Sequence, residues 1–198
     1  MIPIYTAICG KYPYTRTDIK CFGTENIFQN PVMEAKRYKI LPHLFFDDPI
    51  TIWIDGNITL LIPPEEAVRK YLGRADIAIF RHPIRDCLFD EINALQRDTG
   101  RFAIRWLKKS LAEQFKKYWD DEFPIHYGLW ECNFIIRRNN ERVNNLMNAW
   151  WAEICRWQWR DQVSFPYVLS KYGAGVKLAT VKTADIRNNE NFLYRYHS

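Results

Sequence analysis

The sequence predicts one α/β domain spanning residues 1–198, with a mainly parallel central sheet flanked by helices. Three observations carry that prediction. Short, largely apolar runs such as Ile50 to Ile54 and Asp76 to Phe80 stop abruptly in polar clusters, as buried strands do where they leave a sheet. Stretches of helical period separate these runs, and strands alternating with helices build α/β layers. A length of 198 residues suits one ordinary domain, and no internal repeat, linker or low-complexity tract divides it.

Residues 2–8 are mostly β-branched or aromatic and read as a first strand, followed by a Gly, Pro and hydroxyl-rich loop from Gly10 to Thr17. Asp18 to Phe22 reads as a second short strand closed by Gly23. From Pro31 to Phe46 the pattern is helical, with proline at the entry; Lys36, Lys39 and His43, spaced by three and four, are expected on one face. Ile50 to Ile54 is a buried strand that ends in Asp55-Gly56-Asn57. Pro63-Pro64-Glu65-Glu66 opens a helix to Leu72, and the Asp76 to Phe80 strand runs into Arg81-His82-Pro83. Residues 88–119 are helical, broken near Thr99-Gly100. His126 to Glu131 reads as a loop and Cys132 to Ile136 as an apolar strand. A helix from Asn140 to Arg156 carries the stripe Val143, Leu146, Met147, Trp150 and Ile154. A last helix begins at Arg160-Asp161-Gln162 and runs through Leu169, before a polar tail to His197.

Ligands of open parallel sheets bind beyond the carboxyl ends of the strands, so the Asp55 and Arg81 clusters are expected to converge there. The net charge of +5 is dispersed among acids, which suits a phosphate-bearing ligand and argues against a nucleic-acid groove. An aromatic share of 16%, with eight tryptophans, serves either a large core or flat platforms for sugar rings. No apolar stretch approaches the roughly 18–20 residues needed to span a bilayer, and the start lacks the features of a signal peptide. Five cysteines without a C-x-x-C pair fit neither a disulfide framework nor a zinc cage, and read as mostly buried small apolar residues of a soluble protein in the reducing cytoplasm.

Asp55-Gly56-Asn57 puts two oxygen-bearing side chains around a glycine, a pattern suited to a hard cation that bridges to phosphate while the backbone lets the phosphate approach. The same tripeptide is also an ordinary turn. Arg81 offers a fork for an anion and Asp86 an acceptor for sugar hydroxyls, or the two form a structural pair. Glu131 and Asp161 are the candidate carboxylates for general-base or nucleophile work, although an acid in the first turn of a helix also serves the helix itself. The motifs of serine hydrolases, zincins, P-loops and dinucleotide-binding Rossmann domains are absent.

Several segments together carry a resemblance. Tyr5-Thr6-Ala7-Ile8, Arg37 to His43, Trp53 to Ile58, Phe80 to Pro83 with Arg85-Asp86-Cys87, Gly128 to Glu131, and Arg160 to Gln162 with Ser164 to Tyr167 are similar, in order, to a glycosyltransferase-like family long known only as a domain of unknown function, with plant mucilage-related, bacterial and viral members. The resemblance implies a GT-A type, Rossmann-like fold that binds a nucleotide sugar, a UDP-sugar foremost, through Mn²⁺ or Mg²⁺ at a D-x-D-type motif. Asp55 and Asn57 stand at that motif, with Asn where Asp is commoner, and His197 resembles the C-terminal histidine that completes the metal shell. It further implies that Tyr5, Thr6 and Ala7 face the base, that Lys36, Lys39, Arg81, His82, Asp86 and Gln162 serve the donor, and that Asp161 or Glu131 serves catalysis toward a glycan or other hydroxyl acceptor. A nucleotidyltransferase or phosphohydrolase using the same phosphates, and an inactive carbohydrate-binding domain, are the competing readings.

Overall fold

A computed structural model describes residues 1–11, 15–23, 27–28, 30–100, 104–181 and 185–196. Its strands are β1 (Ile4–Ala7), β2 (Lys20–Phe22), β3 (Ile50–Ile54), β4 (Ile58–Leu60), β5 (Ile77–Arg81), β6 (Trp130–Arg138), β7 (Leu178–Val181) and β8 (Phe192–Tyr194). Its helices are α1 (Pro31–Ile40), α2 (Pro64–Ala67, continued by a π-helical turn to Leu72), α3 (Leu88–Arg97), α4 (Arg105–Asp120), α5 (Glu141–Arg156) and α6 (Asp161–Tyr172). Six strands form one sheet in the order β2-β1-β3-β6-β5-β7, in which only β6 opposes the common direction. β4 and β8 pair antiparallel beside it. The sheet is therefore mainly parallel and flanked by helices, as the alternation of elements predicts.

Side-chain alternation along the central strands divides the core in two. Trp53, Ile77, Ile79 and Ile135 face α1 and α3 to α6, where Tyr38, Ile92, Leu107, Leu146 and Val163 cover them. Ile52, Ile54, Ala78, Phe80, Phe134 and Ile136 face the opposite side and pack on Ala67, Tyr71, Leu72 and Phe192. Strands apolar on both faces are what a sheet covered on both sides requires. The predicted stripe of α5 is buried as expected, and the fully buried Trp150 donates its Nε1–H to Ser164 Oγ at 3.0 Å.

The structure corrects several boundaries. α1 stops at Ile40 because Pro42 disfavours helical backbone at Leu41, and a separate 3₁₀ turn covers Pro42–Leu44. His43 is thereby turned away from Lys36 and Lys39 and meets Asn148 Oδ1 at 3.1 Å. β6 begins two residues earlier than its apolar run, so Glu131 is a strand residue rather than a loop residue. The polar tail holds β7, β8 and a 3₁₀ turn at Ile186–Asn188. These strands have three or four residues of mixed polarity, too short for a period to register.

Candidate active site

The carboxyl ends of β3 and β5 and the amino end of the opposed strand β6 meet at one edge of the sheet. Backbone bonds tie them there: Asp55 N–H donates to Asn133 O at 2.8 Å and His82 N–H to Leu129 O at 2.9 Å. Above this edge opens a cleft of about 600 Å³. Lys36 and Lys39 line it from α1, Asp55 and Asn57 from the turn after β3, His82 to Arg85 from the loop after β5, and Glu131 to Asn133 from β6. Arg160, Asp161 and Gln162 enter from the start of α6, and Asp185, Arg187 and Tyr194 from the C-terminal segment.

Its floor is a buried charge cluster. Asp161 Oδ2 accepts from Lys36 Nζ at 2.5 Å and lies 2.7 Å from Lys39 Nζ, and Lys39 reaches Asp55 Oδ1 at 3.2 Å. Burial would raise the pKa of Asp161, but the two ammonium groups overcome it and hold the carboxyl well below the usual range. Burial likewise works against charge on Lys39, yet Asp161 and Asp55 more than offset it and hold the ammonium firmly protonated. Lys36 has Asp161 beside it, but burial and the charge of Lys39 leave its pKa lowered. A carboxylate so heavily neutralised is a poor proton acceptor, so Asp161 suits positioning better than general-base work.

Asp55 is fixed by Trp53, whose Nε1–H donates to Oδ1 at 2.8 Å, while its side chain stays 40% exposed in the cleft. The chain turns here by an Ile58 N–H to Asp55 O bond of 2.9 Å, so the tripeptide is both a turn and part of the cleft. A Cβ on Gly56 would lie 3.0 Å from Ile8 Cγ1, which makes the packing of β1's end the reason for glycine rather than room for a phosphate. Asn57 donates an amide N–H to Arg195 O at 2.9 Å, which leaves its side-chain oxygen to accept a hydrogen bond or to ligate a cation. One carboxylate and one amide oxygen are hard oxygen ligands, of the type a hard divalent ion takes. Among the described residues no further His, Cys, Asp or Glu joins Asp55 in a ready cluster, and His197 lies outside them.

The opposite wall carries Glu131. Arg187 Nη1 and Nη2 both donate to its Oε1 at 3.0 Å, while Oε2 has only a long 3.4 Å contact from Asn133 Nδ2. Burial outweighs the arginine and raises the pKa of Glu131, the property expected of a proton acceptor working near neutrality. Below the neighbouring rim, buried Glu91 accepts from Arg85 Nε at 2.8 Å and Arg160 Nη2 at 3.0 Å. Burial opposes its ionisation, but Arg160 and Arg85 hold its pKa below the ordinary value. His82 Nδ1 accepts from the backbone N–H groups of Ile84 and Arg85, so its proton resides on Nε2, facing Glu91 at 3.8 Å; burial lowers its pKa. Its part is to shape the loop.

Lys36, Lys39, Asp55, Asn57, His82, Glu131, Asp161 and Gln162 are thus brought together as expected. Others are not. Tyr5 is wholly buried, its hydroxyl accepting from Arg137 Nη2 at 2.6 Å, so core packing rather than base recognition claims it. Thr6 is equally buried, and Ala7 packs on the core; neither lines the cleft. Arg81 and Asp86 face each other at 3.9 Å outside the cleft, and Asp86 turns to His126 Nδ1 at 2.7 Å. Sequence reasoning passed over Arg85, Arg160, Asp185 and Arg187. Arg85 and Arg160 lie within the segments that carry the family resemblance, whereas Arg187 has no signal beyond its charge in a tail without pattern.

A family model described as the TOD1/MUCI70 glycosyltransferase-like domain matches residues 21–197. The chain belongs to this TOD1/MUCI70 family. Among curated proteins, it is 28% identical over 169 residues to the Arabidopsis thaliana protein named alkaline ceramidase TOD1, covering 81% of this chain and 36% of that one. It is 27% identical over 171 residues to the probable hexosyltransferase MUCI70 of the same plant, covering 80% of this chain and 28% of that one. The chain therefore spans about a third of the length of these TOD1/MUCI70 relatives. No solved structure matches it. Among the described residues no helix is long and apolar enough to cross a membrane.

Proposed function

We propose that this chain is a glycosyltransferase that moves a hexose from a nucleoside-diphosphate sugar to a hydroxyl of a glycan or similar acceptor. The observation that carries this reading is the pairing, in one cleft, of Lys36, Lys39, Arg85, Arg160 and Arg187 with a buried carboxylate, Glu131, whose pKa is raised. The cations suit a departing diphosphate and the carboxylate suits the incoming hydroxyl. Family membership supports the class, and the name of MUCI70 supports the sugar. The ceramidase name of TOD1 points to an amide bearing long acyl chains, for which a cleft lined mostly by charged side chains is a poor match.

In this mechanism Lys36, Lys39 and Arg160 take up the charge that grows on the diphosphate as the bond from the sugar's anomeric carbon to phosphate oxygen breaks. Asp161 keeps the two lysines placed. Glu131 Oε2 accepts the proton of the acceptor hydroxyl as the new carbon–oxygen bond forms, while Arg187 holds the same carboxylate in position. Asp55 and Asn57 would hold Mn²⁺ or Mg²⁺, which supplies further charge neutralisation to the diphosphate.

The test is a thermal-shift screen of nucleotide sugars, UDP-sugars first, with and without Mn²⁺, followed by donor-turnover assays on whichever donor binds. A donor that raises Tm and is consumed supports the proposal. Consumption of a nucleoside triphosphate without any nucleotide sugar favours a nucleotidyltransferase, and metal-independent glycan binding without turnover favours a carbohydrate-binding domain; either result overturns it.

A further inference from the structure

A second cation-ligating cluster lies outside the donor cleft. Cys87, Asp90 and His126 each bring one donor atom within 4.8 Å of the other two, and none of them lines the cleft. We propose that this cluster is a binding site for Zn²⁺ or a similar borderline-soft divalent ion.

The local structure places all three. Cys87 is the N-cap of α3 and Asp90 lies three residues on, one turn along the same helix face. His126 arrives from the segment before β6, which Gly128 N–H ties to Asp86 O at 3.0 Å. The donors are a thiol, an imidazole and a carboxylate, each a ligand type that zinc takes, and three of them leave a fourth position open. Cys87 is only 4% exposed, packs within the hydrophobic core and forms no disulfide, so its sulfur is a free thiol beside the two solvent-facing donors. Asp90 and His126 close the cluster from the solvent side, which leaves an entry path.

Asp86 supplies the outer support. Its Oδ1 meets His126 Nδ1 at 2.7 Å, which fixes the ring and leaves Nε2 for a metal. That carboxylate–histidine arrangement is the usual support of a metal-bound imidazole. Ligands around one zinc ion sit roughly 3.5 Å apart, so small rotations of the two exposed side chains complete the geometry. A bound ion would pin the loop after β5, which carries His82 and Arg85, to the segment that leads into Glu131.

The experiment is equilibrium dialysis of the full chain against Zn²⁺ with no donor present, followed by metal analysis, and Co²⁺ loading to read thiolate-to-metal absorption in the near ultraviolet. The expected result is saturable binding of about one Zn²⁺ per chain at this cluster. His126→Ala and Cys87→Ser should weaken binding at least tenfold, Cys87→Ser should abolish the cobalt thiolate band, and Asp86→Asn should weaken binding by about 10–100-fold. Asp55→Ala, which removes the carboxylate of the donor cleft, should retain the zinc. His126 is exposed, so its variant is expected to fold even if the buried thiol does not tolerate replacement. Absence of zinc binding in the wild type, undiminished affinity in His126→Ala, or loss of the zinc in Asp55→Ala overturns the proposal.

Discussion

Lys36 and Asp161, 125 residues apart in the chain, meet at 2.5 Å beneath the cleft, and Lys39 joins the same carboxylate oxygen at 2.7 Å. Lys39 also reaches Asp55, so two cations face two carboxylates and the cluster is close to neutral, with both ammonium groups fixed at the floor of the cleft. The cluster thereby ties α1 to the turn after β3 and to the start of α6.

Asp161→Ala is expected to destabilise the fold by about 3–5 kcal/mol, because it strands Lys36 and leaves the buried Lys39 with Asp55 alone. Denaturant unfolding measures this. The Asp161 carboxyl has a folded pKa below its ordinary value, so its stabilisation is present above about pH 3.9 and erodes as pH falls below it. Lys39 has a folded pKa above its ordinary value, so its stabilisation is present below about pH 10.4 and is lost as pH rises beyond it. The wild type should therefore lose stability on the acid side more steeply than a variant lacking Asp161, whereas on the alkaline side the lowered pKa of Lys36 works against the loss from Lys39.

Glu131 makes a prediction about rate. Its raised pKa places the acid limb of the kcat/KM profile above the ordinary glutamate value, since activity needs the ionised form. Arg187 favours the ionised form, so Arg187→Met should move that limb to still higher pH. Glu131→Gln should lower kcat by about 10²–10⁴-fold. A limb that stays in place in Arg187→Met would remove Glu131 from the role of base.

The fold and part of the cleft were legible in the sequence, for different reasons. Ile50 to Ile54 and Ile77 to Phe80 are apolar on both faces because helices or strands cover both, so their ends, and with them Asp55 and His82, were visible as abrupt changes in polarity. Glu131 lies in a segment that carries the family resemblance, but the apolar run predicts a strand only from Cys132, because Glu131 interrupts it. Lys36 and Lys39 are visible as a helical pair; His43 shares their spacing but not their helix, which ends before Pro42. Arg187 and Tyr194 were illegible. Their elements hold three residues each, and it is the pairing of β8 with β4, not a local pattern, that delivers them to the cleft.

Buried Glu91 gathers two arginines of the cleft, Arg85 and Arg160, without lining the cleft itself. Glu91→Gln removes the anion that faces both guanidinium groups and His82. Its expected effect is a destabilisation of about 3–5 kcal/mol with a raised KM for the donor, since the arginines lose their anchor while Glu131 is untouched. A kcat loss with KM unchanged would place Glu91 in the chemistry instead.

Asp55 yields the last prediction. Trp53 Nε1–H and Lys39 both hold Oδ1, so the carboxylate is oriented before any ligand arrives. Asp55→Ala should abolish metal-stimulated donor turnover, and chelation of Mn²⁺ should reduce the wild type to the level of that variant. Trp53→Phe keeps the aromatic packing against Tyr5 but removes the hydrogen bond. The expected loss is about 0.5–1.5 kcal/mol of the bond's net worth, or up to 3 kcal/mol for a bond to a charged group, read as a weaker apparent affinity for Mn²⁺ in the turnover assay. Full metal-stimulated activity in Asp55→Ala would move the ion away from this turn, and an unchanged Mn²⁺ dependence in Trp53→Phe would show that the carboxylate needs no such orientation.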